Sequence, residues 1–259
     1  MTLLRATAFN LMFFIATPLI AASVLLMRAM GWDHTMQVGR FWSRLVLAAL
    51  RHVCGIHVVI TGTEHLPPGG PALLACQHQS AFDTVVWFGL LPKPSYVVKQ
   101  ELTRIPLYGA LMRPAGMIPV DRTAGAAALR GLVHDTVAAK AAGRQIVIFP
   151  EGTRVAPGHR VALQPGIAAI ATRLGLPVIP VATDSGLRWG RRAYRKNPGP
   201  IHIAVGRPIP PGTRRTELLA AIETFWRQQE AAGFRPVDNS VEDCAVLLPE
   251  SLNGAPQPT

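Results

Sequence analysis

The sequence predicts an α/β fold: a mixed, largely parallel sheet flanked by helices, behind an N-terminal two-helix membrane anchor. Two observations predict the sheet. Short apolar runs recur from about residue 57 to residue 205, and helical stretches lie between several of them. Strands alternating with helices imply a parallel or mixed sheet covered on both faces. A third observation predicts the anchor, because 22 residues without a charge separate Arg5 from Arg28. A chain of 259 residues accommodates one such domain plus short additions. The expected division is an anchor over 1–54, an α/β domain over 55–234 and a loosely ordered tail over 235–259.

As a helix the uncharged run would reach about 33 Å, close to the thickness of a bilayer's hydrocarbon core. Asn10 and Pro18 weaken a straight span, and Pro18 is expected to kink it. A second stretch, 38–53, is amphipathic: Arg40, Arg44 and Arg51 share one helical face, while Phe41, Trp42, Leu45 and Leu47 supply apolar surface. That pattern suits an anionic membrane surface. A cleavable signal peptide fits less well, since the run is long and the residues after it are apolar and basic. The arginines beyond the first segment place the rest of the chain in the cytoplasm, at a bacterial-type inner membrane.

The strands expected next are 57–60, 72–76, 96–99, 117–120, 145–149, 177–182 and 201–205. Helices are expected over 123–142 with Thr123 as N-cap, over 165–174 up to Gly175, and over 214–232. Pro180 inside its strand marks an edge or a bulge. The tail, with four acidic groups, several prolines and no sustained period, carries no element.

Net charge is +11, mostly from arginine, with 49% hydrophobic and 16% charged residues. Such a surface attracts anions and excludes a disordered chain, without choosing among nucleic acid, anionic lipid and phosphorylated substrates. Cys54, Cys76 and Cys244 form no CxxC pair and no zinc spacing with the histidines, so no metal site and no disulfide framework is expected. The run Arg188–Lys196 interleaves aromatics with five basic residues. Beside an apolar anchor it fits an anionic bilayer or a carrier's phosphates better than nucleic acid, and a solvated basic loop is the plain alternative.

Four segments carry chemistry. Gln77-His78-Gln79-Ser80-Ala81-Phe82-Asp83 comes directly after a buried strand, and the carboxyl edge of an open α/β sheet is where ligands bind. Asp83, about one turn into a helix, can bond one imidazole nitrogen and leave the other free to take a proton from an alcohol. Ser80 reads as a helix-start residue, and without a G-x-S-x-G elbow a serine hydrolase is the weaker reading. Phe149 to Arg154 also lies just past a strand. There Gly152 permits close approach of the backbone, Thr153 offers a hydroxyl, Arg154 offers a fork suited to phosphate, and Glu151 can hold that arginine or contact an acceptor. Gly116 to Arg122 places Arg122 near the same edge, and Val178 to Val181 is an apolar strand.

In chain order the four segments resemble the 1-acylglycerol-3-phosphate acyltransferases of the PlsC type, whose pattern is H-x-x-x-x-D, a Gly-to-Arg block, E-G-T-R and V-x-P-x. The stretch Lys99 to Gly109 is similar to that family too, as is the apolar N-terminus. The departure is Gln77, where many members carry Asn. The resemblance covers about 55–210 and implies transfer of a fatty acyl group from acyl-CoA or acyl-ACP to the sn-2 hydroxyl of lysophosphatidic acid. It implies His78 and Asp83 as the catalytic pair, and Lys99, Arg122, Glu151, Gly152, Thr153 and Arg154 at the substrate, with no cofactor beyond the thioester co-substrate. The partners implied are lysophosphatidic acid, the thioester donor (acyl carrier protein among the carriers) and an anionic membrane. Acylation of another lyso-lipid and lipid ester hydrolysis stand as alternatives.

Overall fold

The computed structural model describes residues 3–234 and 242–243. Among them the strands are β1 (Ile56–Thr61), β2 (Ala72–Cys76), β3 (Pro94–Lys99), β4 (Ile118–Val120), β5 (Gln145–Ile148), β6 (Val178–Thr183), β7 (Gly199–Val205) and β8 (Glu242–Asp243). They form one sheet in the order β4-β3-β5-β2-β6-β7-β1-β8. From β4 to β6 the neighbours are parallel. β7 runs antiparallel to β6, and β1 lies parallel to β7. The sheet is therefore mixed and largely parallel, as expected. The expected tail falls outside the described residues except at β8, which adds antiparallel to β1.

The helices are α1 (Leu3–Ala29), α2 (Thr35–Cys54), α3 (Phe82–Leu90), α4 (Tyr108–Met112), α5 (Gly125–Ala141), α6 (Gly166–Leu174), α7 (Ser185–Arg188) and α8 (Arg215–Ala231). One sheet face packs against α1, α2 and α3 through Phe9, Leu50, Phe82, Leu74 and Val147. The other packs against α5, α6 and α8 through Leu73, Ile146, Ile167, Ile170 and Ile222. β2 is buried at all five positions, which is why ALLAC shows no polar alternation.

Three local expectations are corrected. Thr123 does not cap α5: its N–H and hydroxyl both donate to Asp121 Oδ1, at 2.9 and 2.6 Å, and the helix starts at Gly125. The aspartate offers that threonine a local turn that outcompetes the cap. Pro180 sits in an interior strand, between β2 and β7. The β7 ladder begins only at Val181, and Gly206 N–H donates to Pro180 O at 2.8 Å, so that flank asks no donor of residue 180. Arg40, expected with Arg44 and Arg51 at an anionic surface, instead donates to Pro92 O at 2.8 Å.

The N-terminal helices are not set apart from the domain. Helix α1 continues through Pro18. Asn10, expected only to weaken a span, is a docking residue: its Oδ1 accepts from Lys196 Nζ at 2.8 Å and its Nδ2 donates to Tyr194 O at 3.0 Å. Lys196 is 1% exposed, and its ammonium also reaches Ala193 O and Tyr194 O at 3.1 and 3.0 Å, so its three donors are satisfied. Trp189 stands edge-on to Phe9 and Phe13 at 5.3 and 5.6 Å. Trp189, Tyr194 and Lys196 of the basic run therefore clamp α1, while Arg191, Arg192 and Arg195 stay exposed. Beyond the clamp α1 exposes Phe14, Ile15, Leu19 and Leu26, and it is long and apolar enough to cross a membrane.

Candidate active site

β2, β4, β5 and β6 end on one edge of the sheet, and the segments leaving them meet there. After β2 the chain turns through Gln77–Ala81 into α3, whose start is braced by Ser80 Oγ accepting from Phe82 N–H at 3.1 Å. Asp83, 3% exposed in the first turn of α3, reaches back. Its Oδ2 lies 3.0 Å from His78 Nδ1 and accepts from Gln79 N–H at 2.7 Å and Ser80 N–H at 2.8 Å. Its Oδ1 accepts from Ser185 Oγ at 2.6 Å. A carboxylate only accepts, so His78 Nδ1 carries the proton and Nε2 holds the lone pair. Nε2 makes no hydrogen bond among the described residues. The ring lies on Phe149, with centroids 4.2 Å apart at 21°, which fixes its plane.

The loop after β5 is tied to the same histidine. Val155 N–H donates to His78 O at 2.8 Å, and His78 N–H donates to Glu151 Oε2 at 2.5 Å. Glu151 is buried, and burial first, then Asp83 and Glu230, push its carboxyl up to about 8 against the pull of the His78 N–H. It therefore turns inward to brace the backbone of His78, and it forms no ion pair with Arg154. Gly152 has φ +72, a conformation that favours glycine, and its carbonyl accepts from Arg122. Arg122 thus joins the end of β4 to this loop. Thr153 is exposed.

Arg154 is half-buried and has no hydrogen bond or ion pair among the described residues. Burial lowers its pKa first, Asp83 counteracts this, and Arg191 adds to the lowering. A half-buried guanidinium with no hydrogen bond or ion pair of its own has its fork open to an anionic partner. Lys99 is drawn elsewhere: its Nζ pairs with Glu101 at 2.7 Å on the surface. Gln77, the departure from the family pattern, bridges two elements, accepting from Thr183 N–H and donating to Glu230, both at 2.9 Å. Among the described residues no three His, Cys, Asp or Glu side chains converge as a metal would require.

Ser185 belongs to this site and was not among its expected residues. It comes after β6, and nothing local marks it. Only the strand order, with β6 beside β2, brings the residues after Thr183 against Asp83.

A histidine–aspartate pair five residues apart at the carboxyl edge of a mixed α/β sheet, beside E-G-T-R, fits an acyltransferase. Residues 57–184 match the model of the Acyltransferase family. The 1-acyl-sn-glycerol-3-phosphate acyltransferase of Pseudomonas aeruginosa is 31% identical over 206 residues, covering 77% of this chain and 79% of that one. The human 1-acyl-sn-glycerol-3-phosphate acyltransferase alpha is 28% identical over 198 residues, 75% of this chain and 69% of that one. The chain belongs to the 1-acyl-sn-glycerol-3-phosphate acyltransferase family. The crystal structure of the 1-acyl-sn-glycerophosphate (LPA) acyltransferase PlsC from Thermotoga maritima has the same fold, with TM-score 0.69 at 22% identity over 90% of this chain and 98% of that one.

Proposed function

We propose that this acyltransferase moves a fatty acyl group from acyl-CoA or acyl-ACP to the sn-2 hydroxyl of 1-acyl-sn-glycerol-3-phosphate, giving phosphatidic acid. The observation that carries the reading is the free Nε2 of His78, with Nδ1 held by Asp83, at the edge where Arg154 stands unpaired. His78 Nε2 takes the hydroxyl proton as the oxygen attacks the thioester carbonyl. The tetrahedral intermediate collapses with loss of the thiolate, which receives that proton from the imidazolium. A thioester needs only an activated alcohol, so no covalent acyl-enzyme is required. Arg154, with Thr153 beside it and Arg122 bracing the loop, holds the acceptor phosphate, and the fixed line between the two substrates supplies much of the acceleration. Lys99 ends β3 at the same edge, where a substrate phosphate would have to compete with Glu101 for it.

The exposed apolar half of α1 sits in an anionic membrane, and the domain faces the cytoplasm at a bacterial-type inner membrane, where the donors are. The clamp on α1 supports this placement, because it keeps the active site a fixed distance from the lipid-facing surface. The test is a panel of lyso-acceptors with and without a phosphate monoester, each assayed with acyl-CoA and acyl-ACP, with free fatty acid measured alongside. Acylation of lysophosphatidic acid well above the others supports the reading. Equal rates on phosphate-free lyso-lipids, or fatty acid release without an acceptor, overturn it.

A further inference from the structure

His78, Asp83 and Ser185 are the side chains of a serine triad joined in a different order. In a hydrolytic triad the histidine lies between serine and aspartate and takes the serine's proton. Here the aspartate lies between the other two. Ser185 Oγ donates to Asp83 Oδ1 at 2.6 Å, and His78 Nδ1 meets Asp83 Oδ2 at 3.0 Å. The serine hydroxyl is 0% exposed and is spent on a carboxylate. It faces neither an acyl donor nor a base, so it is no nucleophile.

We infer that Ser185 is a positioning residue for acyl transfer: its hydroxyl locks the rotation of the Asp83 carboxylate and thereby the tautomer of His78 and the direction of its Nδ1 hydrogen bond. This rests on the reading of His78 as the base. The Gln79 and Ser80 N–H groups both bind Oδ2, the oxygen that also serves the imidazole. Among the described residues Oδ1 accepts from Ser185 alone. Without it the carboxylate keeps only the three donors at Oδ2, and its rotation about the Cβ–Cγ bond is set less tightly. Ser185 is itself held on three sides. Its N–H donates to Thr183 Oγ1 at 3.2 Å, the next residue's N–H donates to Gln79 Oε1 at 3.0 Å, and the preceding Asp184 is pinned by His202. The hydroxyl is thus delivered to Asp83 by a segment rigid in its own right, as a group that orients another must be.

The test compares Ser185→Ala, Ser185→Thr and Ser185→Cys with Asp83→Asn, alone and combined. Ser185→Ala removes one hydrogen bond to a charged group, and kcat is expected to fall about tenfold while the acceptor KM stays within about twofold. Ser185→Thr keeps the hydroxyl and restores most of kcat. Should its added methyl lower Tm sharply at this buried site, Ser185→Cys, a weaker donor of similar size, gives an intermediate kcat instead. In the Asp83→Asn background, Ser185→Ala costs less than about twofold, because the group it orients is gone. A folded Ser185→Ala enzyme with wild-type kcat, or the same tenfold loss with and without Asp83, overturns the inference. His78→Ala at wild-type rate instead overturns the underlying reading, so the two failures are distinct.

Discussion

His78 and His202 stand at the same edge of one sheet, each with its Nδ1 on an aspartate. The pair away from E-G-T-R is the tighter: His202 Nδ1 lies 2.7 Å from Asp184 Oδ2, against 3.0 Å for His78 and Asp83. Each ring also stacks on a phenylalanine, Phe234 for His202 and Phe149 for His78. What separates them is their surroundings. Asp184 gives its other oxygen to the backbone N–H of His202 itself, at 2.7 Å, so that pair closes on β7 and ties its first half to the end of β6. Asp83 is bound by four donors from two segments, and the histidine it holds lies in a loop, beside an unpaired arginine. A histidine–aspartate contact is therefore not by itself a catalytic signature. A base needs a free nitrogen facing a place where an anion can be held.

That contrast can be broken at its strongest point first. His78→Ala is expected to lower kcat by about 10²–10⁴, the usual loss for a general base, with Tm and membrane association unchanged. Asp83→Asn comes second, with a loss of the same order, since a neutral amide gives up the charge that stabilises the imidazolium. Arg154→Ala comes next, and its signature differs: the acceptor KM rises by about 10–100-fold, the worth of charge-assisted hydrogen bonds, with a smaller change in kcat. Arg154→Lys should recover little, because a point charge does not reproduce the guanidinium fork. At the bottom of the scale, His202→Ala should leave kcat within about threefold while lowering Tm by a few degrees, as the loss of about 1–2 kcal/mol of hydrogen bonding would.

Glu151 sharpens the comparison through pH. Its folded pKa of about 8 lies above the ordinary 4.5, so the folded state holds a proton that the unfolded chain releases. The stability tied to that proton is complete below about 4.5 and is lost as pH rises through about 8. Glu151→Gln keeps an acceptor for the His78 N–H without the charge. It should melt at least about 3 °C above wild type near pH 8 and converge with it in acid. Identical melting profiles across that range would place a charged Glu151 in the native site.

Much of the sheet was legible because buried parallel strands appear as unbroken apolar runs, and seven of them are found within a few residues of their expected bounds. His78, Asp83, Gly152 and Arg154 were legible because each lies just after such a run. What was hidden depends on strand order and on long-range docking. Ser185 meets Asp83 across 102 positions, and Lys196 meets Asn10 across 186, and neither contact leaves a local pattern. The basic run was half legible for a related reason. Its exposed arginines are as expected, whereas the burial of Trp189 and Lys196 against α1 has no local signal. Of the two readings of Glu151, the ion pair with Arg154 fails, because the backbone N–H of His78 claims the carboxyl group.

The central claim is that His78 and Asp83 work as one unit. It is tested most directly by measuring single-turnover acyl transfer in His78→Ala, in Asp83→Asn and in the double variant, each confirmed folded by its Tm. If the aspartate acts only through the imidazole, the double variant is as slow as His78→Ala and no slower, because residues acting as a unit are not additive. A double variant slower by the product of the two single losses, or a folded His78→Ala enzyme at the wild-type rate, would contradict the account.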